Sequence, residues 1–145
     1  MSGTIHYIGR KTYDQLVAEI IDLARQYASE TASLPNNSGQ MFELVRTIPY
    51  MPEKVETLKE PSVTLNDGGD CDDKTILFTA WAIARKLPCR VTLAGLKTEP
   101  GIYHHIFPEM YINGKWIPYD ATYSYGKIGK TLAVYDNFKS YQVAK

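Results

Sequence analysis

The chain has 145 residues, 44% hydrophobic and 22% charged, with 16 basic against 16 acidic side chains. That length suits a single domain spanning 1–145, long enough to bury a real core. Balanced charge without a basic run excludes a nucleic-acid surface, and no apolar stretch approaches the roughly 20 residues of a membrane span.

The opening residues, MSGTIHYIGRK, lack the apolar core of a secretory signal, so a cytoplasmic protein is expected. Next, Leu16, Ile20, Leu23, Ala24, Tyr27 and Ala28 recur at helical spacing. They predict a helix with one buried stripe, started by Thr12 or Asp14 and broken by SLPNNSGQ. A shorter helix, QMFELVRTI, follows before Pro49. Residues 49–70 hold three prolines and no sustained period, which predicts a long loop of the kind that is often functional.

CDDKTILFTAWAIARKLP comes next, and from Ile76 to Ala84 only Thr79 is polar. A helix apolar nearly all round is a buried one, so this should be the central helix of the domain. Asp70, Asp72 and Asp73 stand where acids favour a helix start, Arg85 and Lys86 where cations favour its end, and Pro88 terminates it. Cys71 therefore lies in the first turn of a buried helix. CRVTLAGLK, YHHIFPEMYI and KWIPYDAT read as strands, the last two joined by Asn113-Gly114, a strong hairpin signal. Helices first and an antiparallel sheet after means an α+β fold, with the cysteine-bearing helix packed on the sheet.

A two-residue turn at Asn113-Gly114 pairs Tyr111 with Trp116, Phe107 with Asp120 and His105 with Thr122. His105 and Asp120 then share a face as diagonal neighbours, about 7–8 Å apart at the backbone and within side-chain reach. His104 faces the other way, with Ile106, Met110 and Ile112. Pro108 has no N–H for its pair with residue 119, and a bulge there would exchange the faces of the two histidines.

Cys71, His105 and Asp120 are thus a thiol, an imidazole and a carboxylate in the order a nucleophilic site uses them. The helix start favours a thiolate, whereas the neighbouring aspartates oppose it. The expectation is that those acids face solvent or cap backbone N–H groups while the sulfur faces the sheet. Gly68 and Gly69 leave room for a substrate beside Cys71, whose own N–H is a natural oxyanion donor; Asn66 is a weaker donor candidate. A disulfide to Cys89 is not expected, because a helix over 72–87 separates the two by roughly 24 Å. Zinc is not expected either, for no paired ligand spacing is present, although the acidic cluster has the chemistry to share a hard cation.

GGDCDDKT followed by HIFPEMYINGKWIPYDAT resembles the transglutaminase-like superfamily of papain-related thiol enzymes. Its pattern is Gly-Asp-Cys at a helix start, His-x-aromatic-x-Glu on a strand, then Gly-x-Trp and Asp-x-Thr. The resemblance covers residues 68–122 and implies Cys71 as nucleophile, His105 as general base and acid, and Asp120 as its orienter. Glu109 and Trp116 would be scaffold. Phe107 stands where tryptophan is frequent, and the short chain resembles minimal bacterial or phage-borne members. The implied function is a cysteine-dependent amide hydrolase or acyl transferase without a cofactor, acting on a peptide, a protein or another amide. The alternative is the same fold kept as a binding module with an idle site.

Overall fold

Residues 5–7, 12–52 and 57–143 are described by the structure, a computed structural model. The first helix, α1 (Tyr13–Gln26), starts at Thr12, whose hydroxyl accepts from the Gln15 amide while the Gln15 side chain reaches back to the cap. Ile20, Leu23 and Ala24 of the expected stripe are buried, and Leu16 and Tyr27 pack partly buried beside them. Val17 and Ile21 complete the face, and Ala28 falls in the turn beyond the helix. A 3-10 turn (Ala28–Thr31) leads to α2 (Ser38–Thr47), capped by Asn37.

The segment read as one long loop holds two elements. Strand β2 (Thr57–Lys59) pairs antiparallel with β1 (Ile5–Tyr7), and α3 spans Pro61–Asp67. Pro61 occupies the start of α3, where its missing N–H costs nothing, so this proline begins a helix rather than breaking one. Residues 53–56 of that segment lie outside the described residues.

The central helix α4 (Cys71–Ala84) is buried continuously from Asp73 to Ala82. Trp81 and Phe78 are almost fully enclosed, and the Trp81 indole N–H donates to the Pro35 carbonyl at 2.6 Å. Strands β3 (Cys89–Gly95), β4 (Tyr103–Ile112), β5 (Lys115–Pro118) and β6 (Asn137–Gln142) form one antiparallel sheet in the order β5-β4-β3-β6. The fold is α+β, with helices before the sheet and α1 and α4 packed together over a shared core with Val91, Leu93 and Ile106. Cys89 is a buried core residue, and both cysteines are free thiols.

The hairpin turns through Asn113 and Gly114, both at positive φ, and pairs Tyr111 with Trp116 and Ile112 with Lys115, the expected register. Tyr119 N–H donates to the Pro108 carbonyl at 2.9 Å, so the pair at Pro108 keeps its one available hydrogen bond and needs no bulge. Two expectations change. β5 ends at Pro118, whose carbonyl accepts from Gly129, so Asp120 and Thr122 lie beyond the ladder rather than opposite Phe107 and His105. The bulge lies instead where β4 passes Ala94 and Gly95, beside His104. It interrupts alternation, so His104 is exposed and bonded to Glu99 at 3.1 Å rather than inside with Ile106.

Candidate active site

His105 is 5% exposed on β4, and its Nε2 lies 2.7 Å from Asp120 Oδ2. Asp120 reaches it although it stands outside the ladder, because three other bonds fix its carboxylate. Thr122 donates to Oδ1 from its hydroxyl at 2.7 Å and its amide at 3.3 Å, and the Thr131 hydroxyl donates to Oδ2 at 2.7 Å. Burial alone would raise the Asp120 carboxyl, but the bonds from His105, Thr122 and Thr131 outweigh it and hold the group below its ordinary value. The His105 ring is enclosed by near-parallel rings: Phe107 at 5.8 Å, Tyr135 at 5.9 Å and Tyr123 at 6.4 Å. With Nε2 engaged by Asp120, Nδ1 is the nitrogen left for proton transfer.

Cys71 is the first residue of α4 and half-buried. Asp70 and Asp73 form a reciprocal cap, each carboxylate accepting from the other's amide at 3.2 Å, and Asp73 also accepts from the Lys59 amide at 3.0 Å. Those two acids serve the helix start, as expected. Asp72, also in that first turn, lies beside the sulfur as well: the Cys71 thiol donates to its Oδ1 at 3.7 Å. Burial pushes the Cys71 thiol well above its ordinary value, and Asp72 and Asp70 push it further, against a hydrogen bond from the Ile106 backbone. Burial and the two carboxylates thus oppose the thiolate that the helix start alone favours.

The Thr75 hydroxyl lies 2.7 Å from the Cys71 carbonyl and 3.4 Å from the Ile106 carbonyl, which sets the start of α4 against the residue that follows His105. The phenols of Tyr50, Tyr123 and Tyr135 are each raised first by burial, and further by Cys71 once its sulfur is ionised. Tyr50 and Tyr123 meet at 5.0 Å between ring centres, and Tyr123 stacks on the exposed Tyr125 at 5.4 Å. A pocket of about 300 Å³ opens beside Asp120, lined by Tyr123, Tyr125, Lys127 and Lys130 among others.

The remaining residues singled out from the sequence fall elsewhere. Asn66 is exposed on α3, and the Gly69 amide donates to the Pro49 carbonyl at 3.2 Å. The glycines make room for the protein itself. A Cβ on Gly69 would come within 2.6 Å of Asp73, and one on Gly68, at φ +83°, would strike Met51 and the Pro49 carbonyl. Glu109 accepts from Arg90 at 2.6 Å and Thr92 at 2.8 Å, while the Arg90 guanidinium lies 4.5 Å from the centre of the Trp116 ring. Glu109 and Trp116 therefore meet across the sheet through Arg90.

The sequence profile described as Transglutaminase-like superfamily matches residues 21–121, more than two thirds of the chain. The chain belongs to the transglutaminase-like superfamily. Among solved structures it is similar to a candidate cysteine protease from Cytophaga hutchinsonii, at 15% identity and a TM-score of 0.49, over 97% of this chain and 60% of that one. The chain thus spans about three fifths of that structure's length, and a likeness at this level carries no argument about activity. No curated protein matches.

The superfamily match ends at residue 121, within the segment that carries Asp120, and two residues that shape this transglutaminase-like site escaped the sequence reading. Thr131 bonds to Asp120 from the tail, across a separation that no local pattern records. Lys74 is 3% exposed in the first turn of α4, and its ammonium donates to Ile48 O at 2.6 Å, Thr122 O at 2.7 Å and Ala121 O at 3.5 Å. Burial lowers it to about 8, against the field of Asp120, which raises it. Its signal was a cation at a helix N-terminus, where the macrodipole disfavours one.

Proposed function

We propose that the chain is a thiol enzyme that cleaves an amide through a thioester acyl-enzyme, with Cys71, His105 and Asp120 as its catalytic group. The observation that carries this reading is the buried 2.7 Å His105–Asp120 pair, one residue from Ile106, whose carbonyl shares the Thr75 hydroxyl with the Cys71 carbonyl. In the proposed cycle, Cys71 Sγ attacks the carbonyl carbon while its proton passes to His105 Nδ1. The oxyanion accepts from the Cys71 amide, which has no acceptor within the helix because it lies in the first turn. Collapse breaks the C–N bond, and His105 returns the proton to the leaving amine. A water deprotonated by His105 then hydrolyses the thioester; an amine in its place gives acyl transfer. Water is the default acceptor, so hydrolysis is the favoured outcome. The aromatic walls formed by Tyr50, Tyr123 and Tyr125 suit a peptide or a side-chain amide.

Because its surroundings oppose a thiolate, attack by the sulfur depends on His105 taking the proton. Iodoacetamide labelling of Cys71 tests this, read peptide by peptide to separate it from Cys89. His105→Ala is expected to slow labelling at neutral pH on the order of 100-fold, the scale of general-base assistance. One observation favours a second reading, a binding module with an idle site: burial, with Asp72 and Asp70 behind it, pushes the thiol above its ordinary value. Labelling that is slow and indifferent to His105 supports that module and overturns the enzyme.

A further inference from the structure

Cys71 and Lys74 lie one turn apart on α4 in opposite settings. Cys71 is half-buried, whereas Lys74 is enclosed and its three N–H donors face three backbone carbonyls. With every donor committed and no access to solvent, Lys74 has no role as a nucleophile or base. Helix electrostatics do not explain it either, since the macrodipole opposes a cation in the first turn, and a buried ammonium is costly unless its donors are satisfied.

The acceptors belong to two segments that wall the site. Ala121 and Thr122 directly follow Asp120 and lead into Tyr123. Ile48 leads into Pro49 and Met51, which bond to Gly69 at 3.2 and 3.0 Å and present Tyr50 between them. The rings of Tyr50 and Tyr123 then meet from the two segments. Because β5 stops at Pro118, the ladder among the described residues reaches 119–122 only through Tyr119. Tyr119 and Ala121 pack against Leu77 and Phe78 of α4, and Lys74 adds the polar connection to that helix.

We propose that Lys74 is a positioning residue: through the carbonyls of Ala121 and Thr122 it sets where Asp120 stands against His105, and through Ile48 it ties the Tyr50 wall to the same point. The proposal rests on the catalytic reading of Cys71, His105 and Asp120 for its significance, but the placement of Asp120 can be read without any activity. The proton held between His105 Nε2 and Asp120 is buried, and it should give a slowly exchanging downfield proton NMR signal that vanishes in His105→Ala.

In Lys74→Met that signal is expected to be lost or broadened away. Labelling of Cys71 should slow about 10- to 100-fold, the scale on which a displacement of about 1 Å costs rate. An unchanged signal in the folded variant overturns the proposal whatever the labelling rate, as does a native chain with no His105-dependent signal, since no fixed pair then exists. Loss of the signal in Lys74→Met, combined with native labelling indifferent to His105, upholds the positioning role and removes the catalytic reading. If Lys74→Met does not fold, Lys74→Gln is measured in the same way. Failure of both to fold overturns the proposal, because a purely structural residue gives that result.

Discussion

Replacing Asp72 by asparagine isolates the charge that most directly opposes a thiolate at Cys71. The two groups are 3.7 Å apart, and after burial Asp72 is the largest influence raising the thiol. Asparagine keeps the shape and an acceptor oxygen, so the change removes little but charge. Two unit charges about 4 Å apart interact by about 1 kcal/mol in water and about 4 kcal/mol where the effective dielectric constant is near 20. Even the smaller energy corresponds to about a fivefold change in thiolate population. The sign follows from electrostatics: without Asp72 the anion is favoured, so Cys71 ionises at lower pH. Iodoacetamide labelling of Cys71 should then be at least about fivefold faster at neutral pH and should converge with the native rate in strong alkali, where both thiols are ionised. A rate unchanged or slower at neutral pH would refute the placement of a charged Asp72 against the sulfur.

Three further outcomes follow from the same geometry. Thr131→Val removes a hydroxyl that donates to Asp120 at 2.7 Å; a bond to a charged group is worth about 1.5–3 kcal/mol, and urea unfolding should show a loss of that order. Asp120 has a folded-state value held below its ordinary 3.8, so its contribution is present above that pH and is lost as the pH falls through the folded value. Asp120→Asn should therefore flatten the acid limb of a stability-against-pH curve, and an unaltered limb counts against the pairing. Gly69→Ala forces a Cβ to within 2.6 Å of Asp73. Thermal unfolding should show a cost of about 1–3 kcal/mol from overpacking, with disturbance of the Asp70–Asp73 cap.

The sequence was most legible where local physics and topology agree. The apolar run from Ile76 to Ala84 can only be a buried helix, and Asn113-Gly114 fixes a hairpin whose register holds at four successive pairs from Ile112 to Glu109. Extending that register singled out His105 over His104 as the partner of Asp120, and that pair does bond. Asp120, however, reaches His105 from beyond the ladder, and His104 is exposed because of a bulge near Gly95. What escaped was short or remote. β1 and β2 have three residues each, too few to display a period. Pro61 reads as a breaker until its place at a helix start is known. β6 is an edge strand whose Phe138, Lys139 and Ser140 are all exposed, so no alternation marks it. The glycines beside Cys71 suggested space for a substrate, yet they admit Asp73, Met51 and Pro49. Thr131 and Lys74 act through contacts 11 and 48 residues distant, which only the folded chain displays.

The central claim, that Cys71 carries an acyl group through chemistry that His105 drives, is tested most directly by intact-protein and peptide mass spectrometry after mixing with p-nitrophenyl acetate. The native chain should acetylate at Cys71 and release the acetyl group on standing. His105→Ala should form that thioester far more slowly, and Cys71→Ser should not form it. Acetylation that spares Cys71, or that proceeds equally without His105, would contradict it.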